Sequence, residues 1–337
     1  MKKFAILIIL LVVSMSTTFV GCSCNQIDNN TIRLNEVTHS IFYAPLYIAI
    51  NKGFFEEQGL EIELTNGGGS DNSMTALLTN ACDIALLGPE TAVYVASQGR
   101  ENLPKVFGQL TKRDGSFIIG REKINGSFDW NSMAGTEILG GRKGGMPAMT
   151  LEYVLKNKGL IDGNNITINY DVAFNNMTSA FIANTGDYMT TFEPTGSTLE
   201  KNNQGYIVAS VGKEAGEVPF TTFMATDSYL NKNPEIINKF LKAVMKGYNY
   251  LVSTDIESAV DALLPSFTDS DRDIIKSSLI NYIEIDAWVS TPVMTQNSYD
   301  RLIDIMINSG TLPSNVEFTK IVDNSYAQKA INELLEV

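Results

Sequence analysis

The 32 residues from Arg33 to Leu64 constrain this chain more than any other stretch, because the hydrophobic period changes within them and then changes back. Ile32, Leu34 and Val37 form a short apolar run that Thr38, His39 and Ser40 break with small polar groups. Pro45 follows, where a first helical turn tolerates a missing N–H. Leu46, Ile48, Ala49, Ile50 and Phe54 then recur at roughly helical spacing, and Gly53 and Gly59 punctuate the end of that run. Leu60, Ile62 and Leu64 alternate with Glu61 and Glu63 as a strand does. Strand, loop, helix and strand in that order make a βαβ unit, and βαβ units build parallel sheets.

The same residues carry a resemblance. Ala44-Pro45-Leu46-Tyr47-Ile48-Ala49, Lys52-Gly53-Phe54-Phe55 and Gly59-Leu60-Glu61-Ile62 together resemble the opening signature of the NMT1/THI5-like solute-binding proteins, and the likeness runs from residue 32 to the region of residue 250. It implies an α/β protein of the periplasmic-binding-protein type II-like class: two α/β lobes, a ligand cleft between them and extra C-terminal helices. It also implies a monomer that captures a small molecule outside the cytoplasm and passes it to the permease of an ABC importer. The ligands known in the family are nitrate, sulfonates, taurine and thiamine pyrimidine precursors. THI5-type enzymes and some menaquinone-pathway enzymes share the fold, so the fold leaves catalysis open. The Cys-rich motif of the THI5-type enzymes is absent here, and the expectation is a binding protein that is not an enzyme and needs no cofactor.

Composition narrows the classes further. A chain of 337 residues with 44 % hydrophobic content can bury a large core in about two domains. Its net charge of -13 disfavours nucleic acid, whose binders carry basic patches. Lys2 and Lys3 precede an uncharged run from Phe4 to Val20 that reads as a signal peptide rather than a permanent span. Phe19-Val20-Gly21-Cys22 resembles a bacterial lipobox, which implies cleavage before Cys22, acylation of that thiol, with Cys24 as the alternative, and anchoring to the outer face of the cytoplasmic membrane. Residues 1–21 are thus the expected leader and 22–31 a polar tether. Cys82 precedes an apolar strand and reads as a buried, inert thiol. With one histidine, His39, and three cysteines, no zinc cluster is expected.

Along the chain the plan repeats. A Gly-rich turn from Thr65 to Ser73 feeds a helix carrying Met74, Leu77 and Leu78, and a strand from Asp83 to Leu87 leads to Gly88-Pro89-Glu90-Thr91. In the second half, Gly135 to Leu139 is a strand, Gly140 to Pro147 a Gly-rich turn and Ala148 to Lys158 a helix. Met177 to Phe181 then leads to Phe192-Glu193-Pro194-Thr195. The methionines Met74 and Met177 mark a weak internal repeat, as two lobes of like topology would leave. Crossings near Lys112 and Phe220 divide the chain into a first lobe, 32–112 with 221–337, and a second lobe, 113–220. Beyond Asn233 the pattern is helical, with caps expected at Asn233, Ser270 and Asn297.

Candidate ligand-binding residues follow from where the strands end. Glu90 and Glu193 each follow a strand and begin a helix, so both carboxylates face one cleft if ligands lie beyond strand carboxyl ends, or each stabilises its own helix N-terminus. A carboxylate there accepts paired N–H bonds from an aminopyrimidine or an ammonium. Phe42, Tyr43, Phe174 and Phe192 lie in strand-end loops as pocket walls or core lids, and Trp288 is the C-terminal counterpart. Ser40, Ser70 and Asn175 supply hydroxyl and amide groups, although Ser70 or Asp71 equally serves as a helix cap. The turn Gly140 to Met146, with Gly144 and Gly145, forms one wall by the family resemblance, and Arg142 and Lys143 within it are either ligand contacts or solvated charges. The turn lacks the GxxxxGK[ST] order of a phosphate loop. The expected ligand is a nitrogen-rich heterocycle such as a thiamine pyrimidine precursor; a sulfonate, taurine, nitrate or similar small anion is the alternative.

Overall fold

The computed structural model describes residues 30–335. The leader, Cys22 and Cys24 lie outside the described residues, and Thr31, expected in the tether, is already the first residue of a strand. In chain order the strands are β1 (Thr31–Glu36), β2 (Glu61–Asn66), β3 (Ile84–Leu87), β4 (Pro104–Thr111), β5 (Phe117–Gly120), β6 (Glu137–Leu139), β7 (Thr167–Asn169), β8 (Tyr188–Thr191), β9 (Tyr206–Ser210) and β10 (Thr221–Thr226). They form two five-stranded sheets, ordered β2-β1-β3-β10-β4 and β7-β6-β8-β5-β9. Each sheet with its helices makes one lobe.

The βαβ unit read from the sequence opens the first sheet. Its strands pair in parallel, with Ile32 opposite Ile62 and Leu34 opposite Leu64. The helix between them, Ala44–Asn51, has Pro45 in its first turn and buries Leu46, Tyr47, Ile48 and Ala49. The two sheets share a design: three parallel strands, then an antiparallel one (β10 or β5) inserted before the last. That common order is the structural counterpart of the internal repeat.

The first lobe carries the C-terminal helices. The longest, Pro234–Ser253, crosses the Ala44–Asn51 helix at Gly247, where a Cβ would stand 2.0 Å from the carbonyl oxygen of Pro45. Only a residue without a side chain permits that approach. Helix Arg272–Glu284 is preceded by Asp271, one residue after the expected cap Ser270, and helix Gln296–Asn308 by Thr295, two residues before the expected cap Asn297, which lies inside the helix. Asn233 does precede Pro234–Ser253, without a side-chain cap bond.

The two crossings between the lobes run side by side and are tied to each other and to the first lobe. Val218 N–H donates to Lys112 O at 2.9 Å and Thr221 N–H to Thr111 Oγ1 at 2.9 Å, while Lys112 N–H donates to Ala287 O at 2.8 Å. Beside them Asp114 is fully buried: its Oδ1 accepts from the N–H and hydroxyl of Ser116, its Oδ2 accepts nothing, and burial pushes its carboxyl up to about 7. Among the described residues no helix is long and apolar enough to cross a membrane.

Candidate functional site

The parallel strands of both sheets end at one cavity of about 430 Å³. Val37 and Thr38 follow β1, the Gly68–Asn72 segment follows β2, and Gly88 and Glu90 follow β3. From the other lobe come Gly140 to Arg142 and Gly145 to Pro147 after β6, Tyr170 to Asn175 after β7, and Thr190 and Phe192 at the end of β8. Phe220 and Thr221 close the floor at the crossing into β10. A crevice beyond the carboxyl ends of parallel strands is where open α/β sheets take ligands.

Three helices begin at this cavity: Ser70–Leu78, Glu90–Ser97 and Met146–Asn157. Their preceding residues, Gly69, Pro89 and Gly145, make no side-chain cap bond, so the first-turn N–H groups carry the partial positive charge of each helix toward it. The side-chain charges lean the other way. Asp71, Glu90 and Asp171 line the cavity with one cation, Arg142, and Arg142 Nε is paired at 3.4 Å with Asp71 Oδ2. That pair joins the lobes across the mouth. Behind it Tyr94 donates its hydroxyl to Gly144 O at 2.8 Å, a second bond between the lobes.

Glu90 is the central group. It is 1 % exposed, its Oε2 has no hydrogen-bond partner, and a Cβ on Gly88 would fall 2.0 Å from that oxygen. The glycine therefore makes room for the carboxyl. Burial raises the Glu90 carboxyl to about 7, while Arg142 and the N–H groups of Glu90 and Met146 pull it down and Asp71 pushes it up.

The structure brings seven of the residues picked out from the sequence to the cavity wall: Tyr43, Ser70, Glu90, Gly145, Phe174, Asn175 and Phe192. Five stand behind it, for identifiable reasons. Phe42 packs beneath the wall against Phe192 and Phe220, both at 5.8 Å between ring centroids. Trp288 donates its indole N–H to Phe42 O at 2.8 Å, which turns it into the core. Gly144 turns its carbonyl to Tyr94. Ser40 caps the turn of Phe42 and donates its hydroxyl to Glu193 O.

Glu193 departs most from the expectation that it faces the cleft as Glu90 does. Its Oε1 accepts from Ser197 Oγ at 2.7 Å and Asn281 Nδ2 at 2.6 Å, its Oε2 from Ser197 N–H at 2.8 Å, and its own N–H donates to Tyr282 Oη at 2.9 Å. Asn281 and Tyr282 belong to the first lobe, so Glu193 knits the lobes together behind the cleft. Burial raises its carboxyl and these donors partly offset that rise. His39 is likewise engaged elsewhere, between Glu36 Oε1 at 2.8 Å and Ser266 O at 2.7 Å.

Sequence reasoning passed over Thr38, Tyr170, Asp171, Thr190 and Thr221 as wall residues. A rule was available: each lies within a few residues of a parallel strand's carboxyl end or of the crossing.

The NMT1/THI5 like family model matches residues 41–257. A Bacillus subtilis (strain 168) protein named "Putative binding protein YtlA" is 40 % identical over 321 residues, covering 95 % of this chain and 96 % of that protein. Among solved structures, the alkanesulfonate-binding protein SsuA from Xanthomonas axonopodis pv. citri, bound to MOPS, superposes with a TM-score of 0.70 at 16 % identity over 87 % of this chain and 98 % of its own. The periplasmic nitrate-binding protein NrtA from Synechocystis PCC 6803 gives 0.71 at 15 % identity over 90 % and 89 %. The desulfurization enzyme DSZB gives 0.64 at 10 % identity over 90 % and 99 %, so the fold also hosts catalysis.

Proposed function

Because this chain belongs to the NMT1/THI5-like family, we propose that it is the solute-binding component of an ABC importer, working outside the cytoplasm. The observation that carries this reading is the single cavity built from the strand ends of both lobes. A ligand that touches both walls stabilises the closed arrangement over the open one, and a permease that distinguishes the two arrangements receives only loaded protein. We read Cys22 as the acylated anchor and the protein as a monomer with no catalytic step of its own. In support, the sequence's only histidine lies outside the cavity lining, held by Glu36 and Ser266.

For the ligand we propose a small flat nitrogen-rich heterocycle, such as a thiamine pyrimidine precursor. Tyr43, Phe174, Phe192 and Phe220 supply apolar and aromatic wall, Glu90 accepts N–H groups, and Thr38, Thr190 and Thr221 provide hydroxyls for a ring nitrogen or substituent. A small anion is the second reading, favoured by the three uncapped helix starts and by the named ligands of the sulfonate- and nitrate-binding structures.

Thermal unfolding against a panel of aminopyrimidines, thiamine, sulfonates, taurine and nitrate tests both. A ligand at about a hundred times its Kd adds about 2.7 kcal/mol, a shift of about 2–4 °C per kcal/mol for large domains. A shift from a pyrimidine alone supports the heterocycle, and one from an anion alone replaces it with the second reading. Silence across the panel counts against solute binding of these classes.

A further inference from the structure

Resting on the solute-binding reading, we propose that Glu90 is the residue that selects ligand charge: its carboxylate stands where an oxyanion would dock, so the cleft favours donor-rich cations and turns small oxyanions away. Three uncapped helix starts at one cavity make, by themselves, an anion site. Here a protein carboxyl already stands among them. Glu90 occupies the first position of its own helix, lies within reach of the Met146 N–H of the second helix start, and is buried to 1 % exposure with Oε2 unpartnered. A bare buried acceptor beside a cavity is satisfied by an N–H donor from the ligand and repelled by a second oxyanion. The groups that face it do not reverse this. Arg142 is held by Asp71, Asp71 adds negative charge, and the hydroxyls of Tyr43 and Tyr94 remain protonated because burial raises both.

Gly88 completes the device, since its missing side chain is what lets Oε2 occupy this position. Protonation neutralises the carboxyl near neutral pH, where its raised value lies, so selectivity is linked to pH. An oxyanion binds the protonated form and loses affinity as pH rises through about 7; a cation binds the ionised form and gains affinity over the same range.

Titration calorimetry with methanesulfonate and benzamidinium, each of constant charge between pH 6 and 8, tests this on the purified protein. The dissociation constant of methanesulfonate is expected to rise about tenfold from pH 6 to pH 8, and that of benzamidinium to fall about tenfold. In Glu90→Gln both slopes vanish, methanesulfonate binds at pH 8 and benzamidinium weakens at least about tenfold. The pH series on the unsubstituted protein stands without the variant if Glu90→Gln does not fold. Flat pH profiles, or a Glu90→Gln protein with unchanged preference, overturn charge selection while leaving solute binding intact. Silence of both proteins towards both probes and the wider panel overturns solute binding, and charge selection falls with it.

Discussion

At the scale of single residues, the two glutamates show how alike motifs diverge. Both follow a strand and both approach a helix, but the dipeptides are reversed: Pro89-Glu90 in the first lobe, Glu193-Pro194 in the second. The reversal places Glu90 inside its helix and Glu193 ahead of one that starts at Thr195. Four residues on, Ser197 returns its N–H and hydroxyl to Glu193, whereas Tyr94 turns to Gly144 and leaves Glu90 Oε2 without a partner. Glu193→Ala is therefore expected to act on stability more than on recognition. It strands Asn281 and Ser197 and costs about 2–4 kcal/mol in denaturant unfolding, with a ligand Kd changed less than by Glu90→Gln. That carboxylates sit at the strand ends was legible from the sequence; which one stays unpaired was not, because Asn281 and Tyr282 arrive from helix Arg272–Glu284, some ninety residues away.

At the scale of elements, close approaches and the buried Asp114 at the crossings decide what substitutions do. Gly247→Ala pushes a methyl group into the Pro45 carbonyl and separates two helices that pack tightly, with an expected loss of about 1–3 kcal/mol or more by chemical denaturation. Asp114 makes a prediction in pH. Its carboxyl is raised to about 7 in the folded protein but is ordinary, near 3.9, when unfolded. Between those values the folded state holds a proton that the unfolded state has released, so stability falls as pH rises from about 4 to about 7 and then levels. Asp114→Asn removes the charge and keeps an acceptor for Ser116. It is expected to be the more stable protein at pH 8, by about 2–4 kcal/mol, with the gap closing near pH 4 when both are followed by urea unfolding. The elements themselves were readable because their hydrophobic periods are clean, as in Leu46 to Phe54. Caps were less so, since Ser270 stands beside Asp271 and Asn297 two residues beyond Thr295, each with equal capping chemistry.

At the scale of the molecule, the two-lobed class was legible from the repeated strand and glycine-turn pattern and from the family signature, while the wall of the cavity was only half legible. Walls depend on how two sheets face one another, and no periodicity within either half encodes that. One feature of the first sheet bears on how the chain is made. β10 lies between β3 and β4, yet its residues, Thr221–Thr226, follow the whole second lobe in sequence. The first sheet thus has a central gap until residue 226 exists, whereas β5 to β9 lie within one continuous run from Phe117 to Ser210. Pairings across so long a separation pay the larger loop-closure cost and form late. Pulse-labelled hydrogen exchange during refolding is expected to protect the amides of β5 and β8 before those that pair β10 with β3 and β4. The half whose sequence begins first is then the half that is finished last, and a nascent chain cut anywhere between the end of β3 and residue 221 carries an open β3 edge that a second copy, or a chaperone, is free to occupy.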